Sequence, residues 1–436
     1  MKDLLAVQEQ YQDYPYPLRD PEEETQRLLQ VVGGQLPELN HWLYRGKENF
    51  KSGFRVLVAG GGTGDASTFL GEQLKNTNAE IVYLDFSFAS MEIAQKRAEV
   101  RGLKNITWIH DSILNIPKLN LGKFDFINCS GVLHHLASPD EGLQILSDSL
   151  SICGGMNLMI YAKYGRAGVY QIQHLMKVIN SDVNSMAEEI ENCKAIVEIL
   201  PATNWYTKSQ DFIADHILFG DIGLYDLFLH KQDRAYSIPE MYEFVSKADL
   251  HFVHFTSPKQ RLELEIEKYI KDTDLLRQIK QLDIRVQQAI SELIVGTVVK
   301  HDFYVSKVKD TVADLACLTN VPYFYPETDL ATQIYNFIDN GQVSIGQELK
   351  FKLNCRYVQD VDINIHVSKY TKYIFKNMIE GSKSLQEIFD AIRKEFKWNI
   401  LDAVLINECK IIFTQFFKIG ILFLRDKSIA AYKECI

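Results

Sequence analysis

The stretch VLVAGGGTGD (residues 56–65) runs an apolar segment into four glycines and closes on an acid. A loop without Cβ atoms lets backbone pass close to a ligand. Three further groups fall at comparable points downstream. Asp85 lies near the end of VYLDFS, 85 − 64 = 21 residues past the last glycine, and Asp111 follows in WIHDS. FDFINCSGVLHHL (124–136) then ends a fourth apolar run with two histidines. A carboxylate in the place of Asp85 can accept from two vicinal ribose hydroxyls, and one in the place of Asp111 from an adenine amino group. The glycines do not spell G-x-G-x-x-G, because the sixth residue counted from Gly60 is Asp65. The ligand they suit therefore lacks a pyrophosphate. Taken singly, each residue is as well read as structural, a glycine turn or an aspartate capping a helix. Their order favours a site, since open α/β sheets bind ligands outside the carboxyl ends of their strands.

The surrounding pattern supplies those strands. FRVLVAG, EIVYLDFS, ITWIHD, FDFINCS and GGMNLMIYA read as strands, and ASTFLGEQLKN, MEIAQKRAEVRGL and PDEGLQILSDSLS as interleaved amphipathic helices. This predicts an α/β fold: a doubly wound, Rossmann-like sheet with helices on both faces. Helical insertions interrupt it at about 166–235 and 258–295, and IPEMYEFVSKADLHFVHF (238–255) and VVKHDFYVSKV (298–308) return to the sheet. The expected organisation is an N-terminal arm with helices covering the site (1–50), the sheet domain with its insertions (51–310), and a C-terminal region (320–436). That last region reads as mostly helical, three helices and a strand in a winged-helix-like order. The opening YQDYPYPLRDP (11–21) alternates aromatic residues and prolines, which suits an extended arm.

Composition excludes several classes. Of 436 residues 46% are hydrophobic and 24% charged, as expected of a globular chain. Lys+Arg number 47 against Asp+Glu 57, a formal charge of -10. Such a balance gives nucleic acid and anionic membranes no electrostatic attraction. The seven cysteines (129, 153, 193, 317, 355, 409, 435) include no CxxC pair, so reduced thiols in a cytoplasmic protein are expected. No apolar run is long enough to span a bilayer.

With these residues in place, the sequence resembles the class I S-adenosylmethionine-dependent methyltransferases, clearly over 54–165 and in outline over 236–308. The resemblance implies a seven-stranded sheet with one late antiparallel strand and S-adenosyl-L-methionine as cofactor, leaving as S-adenosyl-L-homocysteine. It makes Gly60, Gly62 and Gly64 the cofactor loop, Asp85 the ribose acid, and Asp111 with Ser112 the adenine contact. Gly61, Phe86, Cys129 and Ser130 complete its surroundings. GVLHHL (131–136) is similar to the loop of ubiquinone-biosynthesis-like and many natural-product methyltransferases. One departure is Val58, where the family often carries an acid; Asp65 and backbone carbonyls are then expected at the cofactor's amino group. No NPPY-type motif follows the fourth strand, which argues against methylation of adenine or glutamine amides.

Methyl transfer asks mainly for positioning, with a base where the nucleophile arrives protonated. The catalytic candidates are His134, His135 and Tyr161, with Tyr164 beside them. A sulfonium is favoured by aromatic faces, so Tyr14 and Tyr16 are expected as a lid, with Arg19 pairing the cofactor's carboxylate. The same arm reads equally as a strap onto the sheet or a contact in a homodimer, and LNHWLYRG (39–46) stands in the same position to close the site. In the first insertion Asn204, Trp205, Asp226 and His230 are substrate-side candidates, against a bland reading as helical core. Asp226 and His230 share a helix face at i,i+4, but no third ligand is apparent in sequence and no metal is expected. Three readings of function follow: a methyltransferase acting on a protein side chain, one acting on a small molecule, and a cofactor-binding regulator without turnover.

Overall fold

Runs such as RVLVA and EIVYLD are apolar on both sides because both faces of their sheet are covered. In the computed structural model, which describes residues 10–183, 185–213, 219–326, 328–355 and 358–432, they form β1 (Arg55–Ala59) and β2 (Glu80–Asp85). With them stand β3 (Ile106–His110), β4 (Phe124–Ser130), β5 (Leu150–Tyr161), β6 (His251–Phe255) and β7 (Lys300–Ser306). The sheet has seven strands in the order β3-β2-β1-β4-β5-β7-β6. β1 to β5 pair in parallel and β7 runs antiparallel to β5. β1 is followed on one side by β2 and on the other by β4, so the winding reverses beside β1. That is where ligands enter such sheets. Leu57, Ile81, Ile127 and Leu158 are wholly buried within it.

Two compact units make up the chain: residues 1–34, 50–252 and 263–308 form the first, and 35–49, 253–262 and 309–436 the second. Within the first, the segment after β5 is helical: Ala167–Ile179, Met186–Ile199, Trp205–Ser209 and Gly220–Leu224. It ends in a π-helical turn, Tyr225–Leu229. Val169, Ile172, Met176, Tyr206, Tyr225 and Phe228 give this insertion a core of its own. Thr273–Lys280 and Ile284–Val295 form the later helices.

In the second unit, beside the helices Leu36–Leu43 and Leu330–Asp339, three consecutive helices, Thr371–Met378, Leu385–Phe396 and Asp402–Lys418, are followed by β11 (Leu422–Asp426). β11 pairs antiparallel with β8 (Asn320–Phe324). A hairpin of β9 (Glu348–Cys355) and β10 (Val358–His366) precedes the helices, and the sequence reading missed it. Its signal was there: Leu349, Phe351 and Leu353 alternate with polar residues, as do Val361, Ile363 and Ile365. LNHWLYRG belongs to this unit, where His41 Nδ1 accepts the Leu424 N–H at 3.0 Å. Cys129, Cys153, Cys193, Cys317 and Cys409 are free thiols. Cys435 lies outside the described residues, and of Cys355 only the backbone is described.

Candidate active site

A cavity of about 490 Å³ opens at the carboxyl ends of the strands in the first unit. Its floor is the glycine loop. Gly60 has φ +71°, and a Cβ there would lie 2.4 Å from Val132. A Cβ on Gly61 would lie 2.1 Å from the buried ring of Tyr83, whose hydroxyl donates to the Gly62 carbonyl at 2.6 Å. The Gly62 N–H in turn donates to Asp85 Oδ2 at 2.7 Å, and the Ser87 N–H to Oδ1 at 2.8 Å. Burial raises the Asp85 carboxyl above its ordinary range, and these backbone donors offset only part of that rise. A ligand that donates hydroxyls to Asp85 therefore relieves an existing cost of burying charge.

The next two strand ends extend this wall. Asp111 lines the cavity with Ser112. Its Oδ1 accepts the Ser112 N–H at 2.7 Å and Asn115 Nδ2 at 2.8 Å, while Ser112 Oγ caps the Leu114 N–H at 3.3 Å. On β4, strand alternation sends Asn128 and Ser130 into the cavity and Cys129 into the core. Cys129 is thus not a wall residue, and its buried thiol is pushed up to about 12.

The N-terminal arm supplies another wall. Tyr11, Tyr16 and Pro17 line the cavity, tied down where Thr63 Oγ1 donates to the Pro17 carbonyl (2.7 Å) and Ser87 Oγ to that of Tyr11 (2.9 Å). Arg19 and Tyr14 do not line it. Arg19 forms a two-pronged pair with Asp65 at 2.9 and 2.8 Å, and Arg97 reaches the same carboxylate at 2.7 Å. Burial alone would raise the Asp65 carboxyl, but the two arginines outweigh it and hold it below its ordinary value. Tyr14 instead stacks on Tyr225, centroids 5.5 Å apart and planes 9° apart. Behind the arm, buried Glu24 pairs with Arg97 at 2.7 Å and with Arg101. Gly64 has φ +98° and backs onto Ala94, away from the cavity.

At the far end, His135, Tyr161 and Arg166 form the wall with Asp226. His134 does not reach it: the ring is wholly buried, packed on Tyr161 at 3.9 Å, and burial drives its basicity far down. Tyr161 has its face covered by the Arg166 guanidinium at 3.6 Å. Burial, then the charge of Asp226, holds its phenol well above the ordinary value. Neither residue is placed to take a proton near neutrality. Asn204 caps a helix by accepting the Tyr206 N–H (2.8 Å), and Trp205 is 63% exposed; neither lines the cavity.

Asp226 and His230 are joined by a third group that no sequence spacing revealed. His135, Asp226 and His230 place ligand-type atoms within 4.8 Å of one another, all three buried. Their hydrogen bonding is that of a proton network. His230 Nδ1 accepts the Gln232 N–H at 3.1 Å, so its Nε2 carries the hydrogen. The His135 and His230 rings also stack, 3.8 Å apart and 24° from parallel. The wall residues unforeseen from sequence include Tyr11, Arg166, Phe212, Ile213, Lys300 and Asp302.

The cavity has the features expected of the cofactor that the sequence resemblance implies: a backbone cradle where Cβ atoms on Gly60 and Gly61 would clash, two carboxylates at successive strand ends, and aromatic faces beyond. Comparison with known proteins agrees. Residues 57–156 match the family Methyltransf_12, a methyltransferase domain. An uncharacterized protein of Synechococcus sp. is 29% identical over 261 residues, 58% of this chain and 60% of that protein. Ubiquinone biosynthesis O-methyltransferase of Actinobacillus pleuropneumoniae is 32% identical over 96 residues, 21% of this chain and 39% of that one. This chain therefore covers less than two thirds of either relative's length. Among solved structures, PKMT2 from Rickettsia typhi in complex with AdoHcy shares the fold, with a TM-score of 0.57 at 16% identity. The match covers 95% of this chain and 76% of that one.

Proposed function

From the premise that this chain carries a class I S-adenosylmethionine-dependent methyltransferase domain, we propose that it transfers a methyl group to a nucleophilic nitrogen or oxygen of a protein side chain. The observation that carries the transfer reaction is the hydrogen-bonded unit of glycine loop and Asp85 at the point where the sheet's winding reverses. The bound cofactor supplies an electrophilic methyl group on a sulfonium. Asp85 would hold the ribose hydroxyls, Asp111 and Ser112 the adenine edge, and the Gly60–Gly62 backbone would leave room for the ligand's close approach. Tyr11, Tyr16 and Tyr161 offer aromatic surface where the sulfonium would lie. Exclusion of water and fixed alignment then provide much of the rate.

The protein acceptor is supported by the second unit. It holds a core of its own, built from residues such as Ile374, Phe389, Ile412 and Phe416, which a small-molecule acceptor does not require. The likeness to PKMT2 runs through 95% of the chain and is not confined to the sheet domain. A small-molecule O-methyl acceptor is favoured instead by GVLHHL and by the relative that acts in ubiquinone biosynthesis. Labelled methyl from S-adenosylmethionine, offered with an extract of the source cells and separated into protein and small-molecule fractions, decides between them. Label in a protein band is expected; label only in the small fraction favours the second reading. No transfer by protein that binds S-adenosylhomocysteine makes it a regulator.

A further inference from the structure

Proton removal is the part of the chemistry that neither the glycine loop nor the ribose acid can perform. The sheet order separates the two ends of the cavity. From β2, which carries Asp85, to β5, which carries Tyr161, is three strand steps, about 14 Å at about 4.8 Å each. With the adenosine at the first end, as the methyltransferase reading has it, the second is left for the acceptor. Toward that end the arm, the loop after β4, β5, β7 and the helical insertion bring together Tyr16, His135, Tyr161, Asp226 and His230, with Arg166, Lys300 and Asp302 as further charged groups, while Tyr11 spans the two ends, its ring 6.1 Å from that of Phe86 and its hydroxyl on Asp226.

Three of these groups form a directed chain. The Gln232 N–H fills the lone pair on His230 Nδ1 at 3.1 Å, so Nε2–H is a donor, and it faces the Tyr11 hydroxyl at 3.3 Å. With its oxygen lone pair engaged by His230, Tyr11 turns its own hydrogen to Asp226 Oδ1 at 3.1 Å. Asp226 lies in the π-helical turn 225–229 and His230 directly follows it. Turns of this kind occur often at functional sites, because they re-aim side chains that a regular helix would send elsewhere. Tyr11 and Asp226 both line the cavity.

We propose that Tyr11 and Asp226 form the proton-accepting pair of the transfer reaction, with His230 as the positioning residue that sets the direction of the Tyr11 hydroxyl. The inference rests on the methyltransferase reading above. A new bond forms between the acceptor's N or O and the methyl carbon while the carbon–sulfur bond breaks, its electron pair staying on sulfur. The acceptor's proton passes to Tyr11 Oη as the Tyr11 proton passes to Asp226. The pair thus ends one proton richer, and S-adenosylhomocysteine leaves uncharged at sulfur. Tyr11 acts as a relay and never as a lasting phenolate, because burial and the adjacent carboxylate hold its phenol well above the ordinary value. His135 is the competing base: its Nδ1–H donates to the Gln232 carbonyl at 2.9 Å, leaving a lone pair on Nε2.

The test uses the full chain, labelled S-adenosylmethionine at saturation and an extract of the source cells as acceptor, read in single turnover at several pH values. Asp226→Asn is expected to lower the rate near neutrality on the order of a hundredfold, with most of the loss recovered at alkaline pH and S-adenosylhomocysteine affinity within a few fold of wild type. Tyr11→Phe, a change in the arm that leaves the insertion's core intact, should show the same pH-dependent loss. His230→Gln should give a smaller one. Undiminished transfer by Asp226→Asn, or a loss confined to His135→Gln, overturns the pair. Loss of wild-type activity to a chelator, restored by a divalent cation, overturns it in favour of a metal at the same three side chains. No label with wild-type protein removes the methyltransferase reading itself, and the pair with it.

Discussion

The Gly62 N–H donates to Asp85 at 2.7 Å, so the glycine loop and the acid proposed for the ribose are tied into one hydrogen-bonded unit. Removing the acid therefore costs twice. On the proposed assignment Asp85→Ala would delete charge-assisted hydrogen bonds to the ribose, about 1.5–3 kcal/mol each, and it removes the acceptor of the Gly62 N–H. S-adenosylhomocysteine affinity measured by calorimetry should fall at least tenfold. Unchanged affinity would show that the ribose lies elsewhere.

Acid pH should weaken the same contact early. The Asp85 carboxyl is raised by its burial, so protonation begins above the ordinary carboxylate range near about 3.9. The protonated form loses acceptor capacity. Affinity should therefore decline as pH falls through that raised value, and the decline should vanish in Asp85→Asn. A decline of equal size in the variant would assign the titration to another group.

Gly61 tests whether the cradle is shaped by its neighbours. An alanine there would place Cβ 2.1 Å from the Tyr83 ring. Overpacking of this kind costs about 1–3 kcal/mol. Gly61→Ala should lower both the melting temperature and S-adenosylhomocysteine binding, and adding Tyr83→Leu should restore part of the stability. A Gly61→Ala protein with wild-type stability would mean that the Tyr83 ring yields.

Behind the arm, Glu24 and Arg97 are 2% and 1% exposed at their side chains and lie 2.7 Å apart. Removing one partner of a buried pair leaves an uncompensated charge, worth about 3–5 kcal/mol. Glu24→Gln should lower the melting temperature measurably, while Glu23→Gln, whose partner Arg27 is exposed, should leave it nearly unchanged. Equal effects would contradict a buried network.

The sequence carried the sheet because apolar strands alternating with amphipathic helices have few other solutions, and Asp85 and Asp111 line the cavity because they stand at strand ends. It placed Cys129 in the wall wrongly, although strand alternation between Asn128 and Ser130 already implied the core. Arg19 offered no such signal, since its engagement with Asp65 depends on where the arm lies. Nor did the meeting of His135 with Asp226 and His230, whose separation of more than ninety residues is closed only by tertiary packing. The π-helical turn was equally hidden, because one extra residue per turn leaves no distinct pattern in five residues.

Tyr11 and Asp302 face the same cavity from positions 302 − 11 = 291 residues apart. During synthesis the cavity's lining is therefore completed only once β7 has emerged and paired with β5. A ligand that touches the whole of this lining should stabilise the finished domain more than a shorter piece of it. Retention on an immobilised S-adenosylhomocysteine matrix thereby becomes a measure of completed folding, independent of any acceptor.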